Sequence, residues 1–488
     1  MNLGTDIFLL IFIAPFLLLA LAGYWKLFEK AGEKGWKALV PFYSSYIMLK
    51  ICHRPGWWLI WLFLPLANWI VSFGILVDFI KCYGKFSIWD RAAAVLLPFV
   101  YLPKWGFEAK TAYLGPSASP AFRVQYHQSI KPNSAIQWGQ ALFFAVFTAV
   151  FIRALLFEDF TIPTPSMERT LLVGDNIFVS KLNYGARIPM TPFSFPFTSH
   201  TLPNTNFRSY WDGWELPYFR LPGFSSVKRG DVIVFNYPAD TIDNRPVDKR
   251  ENYIKRCQGI PGDTLSVVNA QVYVNSKAAT NPPGEQMEYK YQLKDSLNES
   301  IHDELKITLY PEHQYPAMTA ASAAIMKRYS AVKDFAPDIA PKGVSEDVFP
   351  RSSTTILDPN LDIRVPDYHW NADNFGPIII PKKGWTVKLD SMTFPLYERA
   401  IEVYEHNKLE VKGTEIFING KKANAYTFKM NYYWVLGDNR HDSEDSRYWG
   451  FVPEDHISGK ALFIYMSWDS DAPLFKKIRW DRFLRGIN

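Results

Sequence analysis

Four apolar stretches dominate the first third of the chain, at 7–25, 57–80, 92–107 and 136–157. The first, second and fourth are long and apolar enough to cross a bilayer as helices. The third is short, holds Pro98 and Pro103 and carries Lys104, so it reads as a full crossing or as a re-entrant or interfacial segment. No small-residue cleavage site follows 7–25, which makes it an uncleaved anchor. The next loop carries Lys26, Lys30, Lys34, Lys37, Lys50 and Arg54 against Glu29 and Glu33. An excess of basic residues marks a cytoplasmic loop, so the N-terminus is expected outside. Within that loop, 35–50 reads as an amphipathic stretch along the interface. Four crossings then deliver everything after Phe157 to the outer side.

Beyond Phe157 the pattern changes to short runs of β-branched and aromatic residues broken by Gly, Pro and Asp. Strands are predicted at 176–181, 231–236, 264–268, 271–274, 386–389, 415–418, 432–435 and 460–468, with one helical period at 396–406. This is the pattern of a largely antiparallel, partly closed β fold. Two stretches look like additions. In 191–224, Phe193, Phe195, Phe197, Phe207, Tyr210, Trp211, Trp214, Tyr218 and Phe219 sit among prolines and glycines. They form either a packed loop or a surface that dips into the membrane, where Trp and Tyr favour the interface. The second addition, 281–381, is polar and carries no assignable chemistry; its His302, His313 and His369 read as surface residues. The end, 471–488, mixes Trp480 and Phe483 with Lys476, Lys477, Arg479, Arg482 and Arg485, as an interfacial basic segment or a solvated tail.

Composition narrows the function. A chain of 488 residues holds two or three units. A net charge of +5 on 53 basic and 48 acidic residues gives no case for nucleic acid. Of the three cysteines, only Cys257 falls beyond the apolar third, so no disulfide forms within the polar part. No CxxC, HExxH or clustered ligand set appears, and neither metal nor cofactor is expected.

The chemistry concentrates in two stretches. In 161–172 (TIPTPSMERTLL), Pro163 and Pro165 force an extended backbone that presents the Ser166 hydroxyl. In 253–263 (YIKRCQGIPGD), Lys255 lies on a strand-like run among apolar neighbours and beside Arg256. Serine is a nucleophile only when a neighbour takes its proton, and a lysine kept neutral by burial or a nearby cation can do so. His441 raises a Ser/His alternative. The run 225–228 (SSVK) fits an S-x-x-K pattern, but it sits in a turn with no accompanying KTG and is set aside.

With 229–235 (RGDVIVF) and 436–453 (LGDNRHDSEDSRYWGFVP), these stretches form four boxes whose order resembles that of the bacterial type I signal peptidases. The resemblance implies a multi-pass helical membrane region, 1–157, followed by a mainly antiparallel β catalytic domain with a large insertion. The catalytic domain would comprise 158–280 and 382–470, with 281–381 as the insertion and 471–488 as a basic aromatic tail. It implies Ser166 as nucleophile and Lys255 as general base. The oxyanion donors would be the Ser166 N–H and the Thr164 hydroxyl. Ser443 would orient the lysine, and Asp445 with Arg447 would form a structural ion pair. Substrate would lie along Ile162, Pro163, Pro165 and Met167 on one side, and Tyr253, Ile254 and Lys255 on the other. The implied setting is the bacterial cytoplasmic membrane with the catalytic domain on the outer side. Partners would be exported preproteins, the lipid bilayer and the secretion machinery. A peptidase with a narrower substrate set, or an inactive relative that binds exported chains, stays open as an alternative. The sequence departs from the family pattern at Arg169, where proline is usual, and at His441 and Asp442, where Asp and Asn are common.

Overall fold

A computed structural model of the chain describes residues 3–63, 67–126, 146 and 148–487, apart from 196–197, 199, 203–204, 206, 241–244, 295–300, 302–303, 311–312, 353–364, 471 and 474–476. The chain divides into two compact units, Met1–Ala145 and Val146–Asn488.

The first unit is helical. Helix α1 (Leu3–Lys30) is followed by α2 (Tyr43–Cys52), α3 (Ala67–Lys81), α4 (Ile88–Leu96) and α5 (Pro98–Phe107). Leu27, Phe28, Ile47, Ile51, Phe79, Ile80, Leu102 and Trp105 form its core. Two glycines let α1 and α5 cross closely: a Cβ on Gly23 would lie 2.4 Å from the Leu102 carbonyl carbon, and one on Gly106 would lie 2.9 Å from Gly23 O. Lys30 Nζ donates to the carbonyls of Trp105, Glu108 and Thr111 at 3.1, 2.6 and 2.7 Å, capping the end of α5.

The first expected crossing, 7–25, lies within α1, whereas the later ones are divided. Of 57–80, residues 57–63 fall in a 3₁₀ helix, Gly56–Phe63, and 67–80 in α3, with 64–66 outside the described residues. Residues 92–107 are split between α4 and α5 at Leu97, whose φ of −131° and ψ of 54° leave the helical region just before Pro98. Of 136–157, residues 136–145 lie outside the described residues, 148–155 are helical, and the chain enters a strand at Phe157. Among the described residues, no helix is long and apolar enough to cross a membrane.

The second unit is built on an antiparallel sheet. Its strands run in the order Phe157–Thr161, Asp175–Ser180, Ile457–Ser467, Val232–Asn236, Asn252–Gly259, Tyr432–Leu436, Val452–Pro453, with Arg485–Gly486 also paired to Ile457–Ser467. Val232, Val234, Ile177, Val179, Ala461 and Ile464 pack with Ile162, Met167 and Leu171 in one core. Ile233, Phe235, Cys257, Val435 and Trp449 belong to another. Adjacent residues of Val232–Asn236 thus enter different cores, as the two-residue period of a strand requires. A second sheet, Phe375–Ile379 with Thr264–Val268, Gln271–Val274 and Lys277–Ala278, closes on the largest core around Trp434, Phe375, Tyr432 and Phe451.

All eight strands expected from alternation are present within a few residues of their predicted ends. The helical period at 396–406 is Phe394–Arg399 continued by a wider turn, Ala400–Tyr404. The stretch expected as an insertion has structure of its own: Gln286–Leu293 pairs with Ala317–Thr319 and Val332–Pro337 over a small core of Tyr289, Leu305, Met318 and Met326. Its strand Phe375–Ile379 belongs to the second sheet. The C-terminal segment is anchored by Arg482, which is buried and donates to Asp175 at 2.9 Å and to Thr170 O at 3.0 Å.

Trp434 is wholly buried against Phe349, Phe375 and Phe451. Trp434→Ala is therefore expected to destabilise the second unit by about 3–5 kcal/mol, read as a lowered midpoint of denaturant unfolding.

Candidate active site

Asn252–Gly259 is paired on both sides, which fixes where Lys255 sits. On one side Lys255 is opposite Ile233; on the other, Leu436 is opposite Arg256, so the loop that follows Leu436 arrives beside Lys255. Ser166 comes from the connection between Phe157–Thr161 and Asp175–Ser180, in a single 3₁₀ turn, Pro165–Met167. Pro165 at the first position suits its fixed φ. Apolar packing of Ile162, Met167 and Leu171 pins the turn on either side of the serine.

The two side chains meet. Lys255 Nζ lies 2.6 Å from Ser166 Oγ; the charged amine donates in this contact, and the neutral amine can accept from the hydroxyl. Both residues are buried, Lys255 at 4% exposure. Burial brings the lysine down from 10.5 to about 8, against the upward pull of Asp445, Glu444, Asp442 and Asp438. Two of these acids are held by arginines. Arg256 grips Asp438 through Nε at 2.8 Å and Nη2 at 2.6 Å. Arg447 grips Asp445 through Nε and Nη2, both at 2.9 Å, and also donates to Arg440 O at 2.6 Å.

Gly437 sits between these parts. A Cβ there would lie 2.1 Å from Ser443 Oγ and 2.6 Å from Ser166 O, so only glycine allows the two serines to close on it. The Gly437 N–H donates to Asp445 Oδ2 at 3.0 Å. Asn439 continues the support: its N–H donates to Ser166 O at 3.1 Å and its side-chain amide donates to Pro165 O at 3.3 Å.

The expected residues therefore gather, with two qualifications of geometry. Ser443 is buried in the cluster, but its Oγ finds no hydrogen-bond partner among the described residues, the lysine amine included. Thr164 is extended and exposed, and its side chain caps nothing. Ile162 and Met167 are buried, Pro165, Tyr253 and Ile254 half-buried, and Pro163 exposed. His441 is elsewhere: its Nε2 is 3.1 Å from Asp373 Oδ1, and its Nδ1 accepts from the Glu288 N–H at 3.2 Å. In the SSVK run, Ser225 bonds Asn183 O and Lys228 is exposed. His313, expected at the surface, is half-buried and pairs with Glu288 and Asp442. His302 lies outside the described residues. Sequence reasoning missed Gly437, Asn439 and the buried Arg256–Asp438 pair. The pair's signal was present, since each member lies within one of the boxes.

Residues 135–324 and 396–468, more than half the chain, match the family described as signal peptidase, peptidase S26. The chain belongs to this family. The match runs through 324 and so takes in the first part of the stretch expected as an insertion. Residues 36–116 match a family of unknown function, DUF5684. The signal peptidase I of Buchnera aphidicola subsp. Acyrthosiphon pisum is 29% identical over 338 residues, covering 68% of this chain and 75% of the relative. That of Pseudomonas aeruginosa is 24% identical over 358 residues, covering 70% and 78%. That of Aquifex aeolicus is 25% identical over 327 residues, covering 67% and 82%.

The carboxylates around Lys255 give a pH prediction. Activity that needs the neutral amine should rise as pH passes through about 8 and be lost below it. Glu444 is exposed and pulls that value upward. Glu444→Gln should therefore move the acidic limb of kcat/KM to lower pH by a few tenths of a unit.

Proposed function

We propose that the chain removes N-terminal signal peptides from exported preproteins, cutting after a small-x-small site with Ser166 as nucleophile and Lys255 as general base. The observation that carries this reading is the buried 2.6 Å contact between Lys255 Nζ and Ser166 Oγ in a member of the family.

As Ser166 Oγ bonds to the scissile carbonyl carbon, Lys255 takes the hydroxyl proton. The carbonyl oxygen becomes an oxyanion for the Ser166 N–H and the Thr164 hydroxyl to stabilise. Exposure of Thr164 leaves its hydroxyl available to a substrate lying along the Ile162–Pro165 segment. The intermediate collapses to an acyl-enzyme, and Lys255 returns its proton to the departing amine. Water then attacks the ester, again losing a proton to Lys255, which hands it to the departing Ser166 Oγ and so regenerates the hydroxyl and the neutral amine. Ser443 is assigned to orient the amine; its burial beside Gly437 and its unpaired hydroxyl support that role. Asp445 and Arg447 hold the Leu436–Trp449 segment in shape. Ile162, Pro163, Pro165, Met167, Tyr253 and Ile254 receive a substrate strand, which adds its backbone to the exposed edges.

The setting is a bacterial cytoplasmic membrane, with 1–157 as a multi-pass anchor and the second unit outside; the four apolar stretches and the basic first loop support it. Exposure of Phe193, Phe195, Phe207, Trp211, Trp214, Phe219 and Phe224 supports the reading of 191–224 as an interfacial surface over that of a packed loop. Contact with the secretion machinery belongs to the same reading.

The test is cleavage of a precursor carrying an A-x-A site by detergent-purified protein. Ser166→Ala and Lys255→Met are each expected to lower turnover by at least about 10³-fold while leaving precursor binding intact. Full activity in either variant would remove that residue from the mechanism.

A further inference from the structure

Outside the catalytic pair, a set of polar side chains links the turn that carries Ser166 to the stretch expected to be a chemically silent insertion. Arg169, three residues after the serine, has φ 73°. Proline cannot adopt that angle, so this turn follows a path closed to the usual proline. Left-handed backbone in a non-glycine residue is strained and persists only where its surroundings hold it. Here the side chain does the holding. Arg169 Nη2 donates to Thr308 Oγ1 at 2.7 Å and to Lys306 O, and its Nε donates to Gln286 Oε1 at 3.3 Å.

The chain of contacts then returns to the serine. Gln286 Nε2 donates to the Tyr310 hydroxyl at 3.0 Å, and Asn439 Nδ2 donates to the same oxygen at 2.9 Å. Asn439 in turn holds Pro165 O and Ser166 O. Gln286 is also tied by its backbone to both neighbours of Asn439, its N–H donating to Asp438 O and its carbonyl accepting from Arg440 N, each at 2.9 Å. Gly284 seats the start of this stretch on the same turn, since a Cβ there would lie 2.5 Å from Thr170 Oγ1. The ring Arg169, Gln286, Tyr310, Asn439 thus begins and ends on the nucleophile turn.

We propose that Tyr310 and Arg169 are positioning residues for Ser166. Through this ring Gln286, Lys306, Thr308 and Tyr310 fix where the nucleophile stands relative to Lys255. The proposal rests on the reading of Ser166 as the nucleophile. A ring that acts on the position of an attacking atom should affect turnover and leave substrate affinity alone, because small displacements at the reacting centre are expensive.

Tyr310→Phe removes one oxygen and leaves two amide donors without their shared acceptor. Arg169→Gly keeps the backbone angle without strain and deletes the side-chain contacts. Steady-state kinetics on an A-x-A precursor should show kcat lowered about tenfold in each variant, with KM within about twofold and thermal midpoints close to the parent. Because both substitutions open the same ring, the double variant should lose less than the product of the single effects. Unchanged kcat in Tyr310→Phe, losses that track unfolding alone, or effects that multiply would each overturn the proposal. Ser166→Ala in the same assay separates the two claims: activity remaining there would refute the nucleophile assignment whatever the ring variants do.

Discussion

A lysine amine buried against a serine hydroxyl is the constraint on which the rest of the second unit depends. An ammonium group removed from water is disfavoured, and a value near 8 in place of 10.5 corresponds to roughly 3 kcal/mol of penalty on the charged form. Four carboxylates, Asp445 foremost, pull the value back up, and burial outweighs them. Arg256 and Arg447 each clamp one of these acids in a buried two-point contact. Burial then decides the protonation state of Lys255.

The sheet supplies the rest of the geometry. Asn252–Gly259 is an interior strand, so Lys255 has little backbone freedom. Its partner Tyr432–Leu436 delivers Gly437, Asn439, Ser443 and Asp445 within a few residues, and Gly437 lets that loop press against Ser166. The nucleophile turn is held by apolar packing at Met167 and Leu171, by Arg482 on Thr170 O, and by the ring through Tyr310. Segments far apart in sequence thus converge on one short turn.

The site was legible because its chemistry lies in compact runs. Pro163 and Pro165 mark the non-helical approach to the serine, which itself sits buried in a 3₁₀ turn where extended backbone was expected, and the alternation around Lys255 announces its strand. The strands of the central sheet were readable for the same reason, since Val232–Asn236 and Tyr432–Leu436 are dense in β-branched and aromatic residues. What escaped was long-range. Nothing in the polar run around Tyr310 signals that its hydroxyl reaches Asn439, because that contact spans 129 positions. Arg169 was noticed as a departure, but its positive φ and its reach to Thr308 appear only in three dimensions. Phe157–Thr161 was hidden at the end of an apolar run, where hydropathy alone cannot distinguish the last helical turn from a strand. The break at Leu97 was foreshadowed by Pro98.

Burial brings the Lys255 amine down from 10.5 to about 8, and the most direct measurement is the titration of that amine itself. Side-chain NMR of labelled lysine in a Ser166→Ala background, with Lys255→Met to assign the signal, would follow that one group through pH. A midpoint near 8 is expected. A midpoint at the ordinary lysine value near 10.5 would contradict it, because the amine would then be charged throughout the range in which the serine must lose its proton.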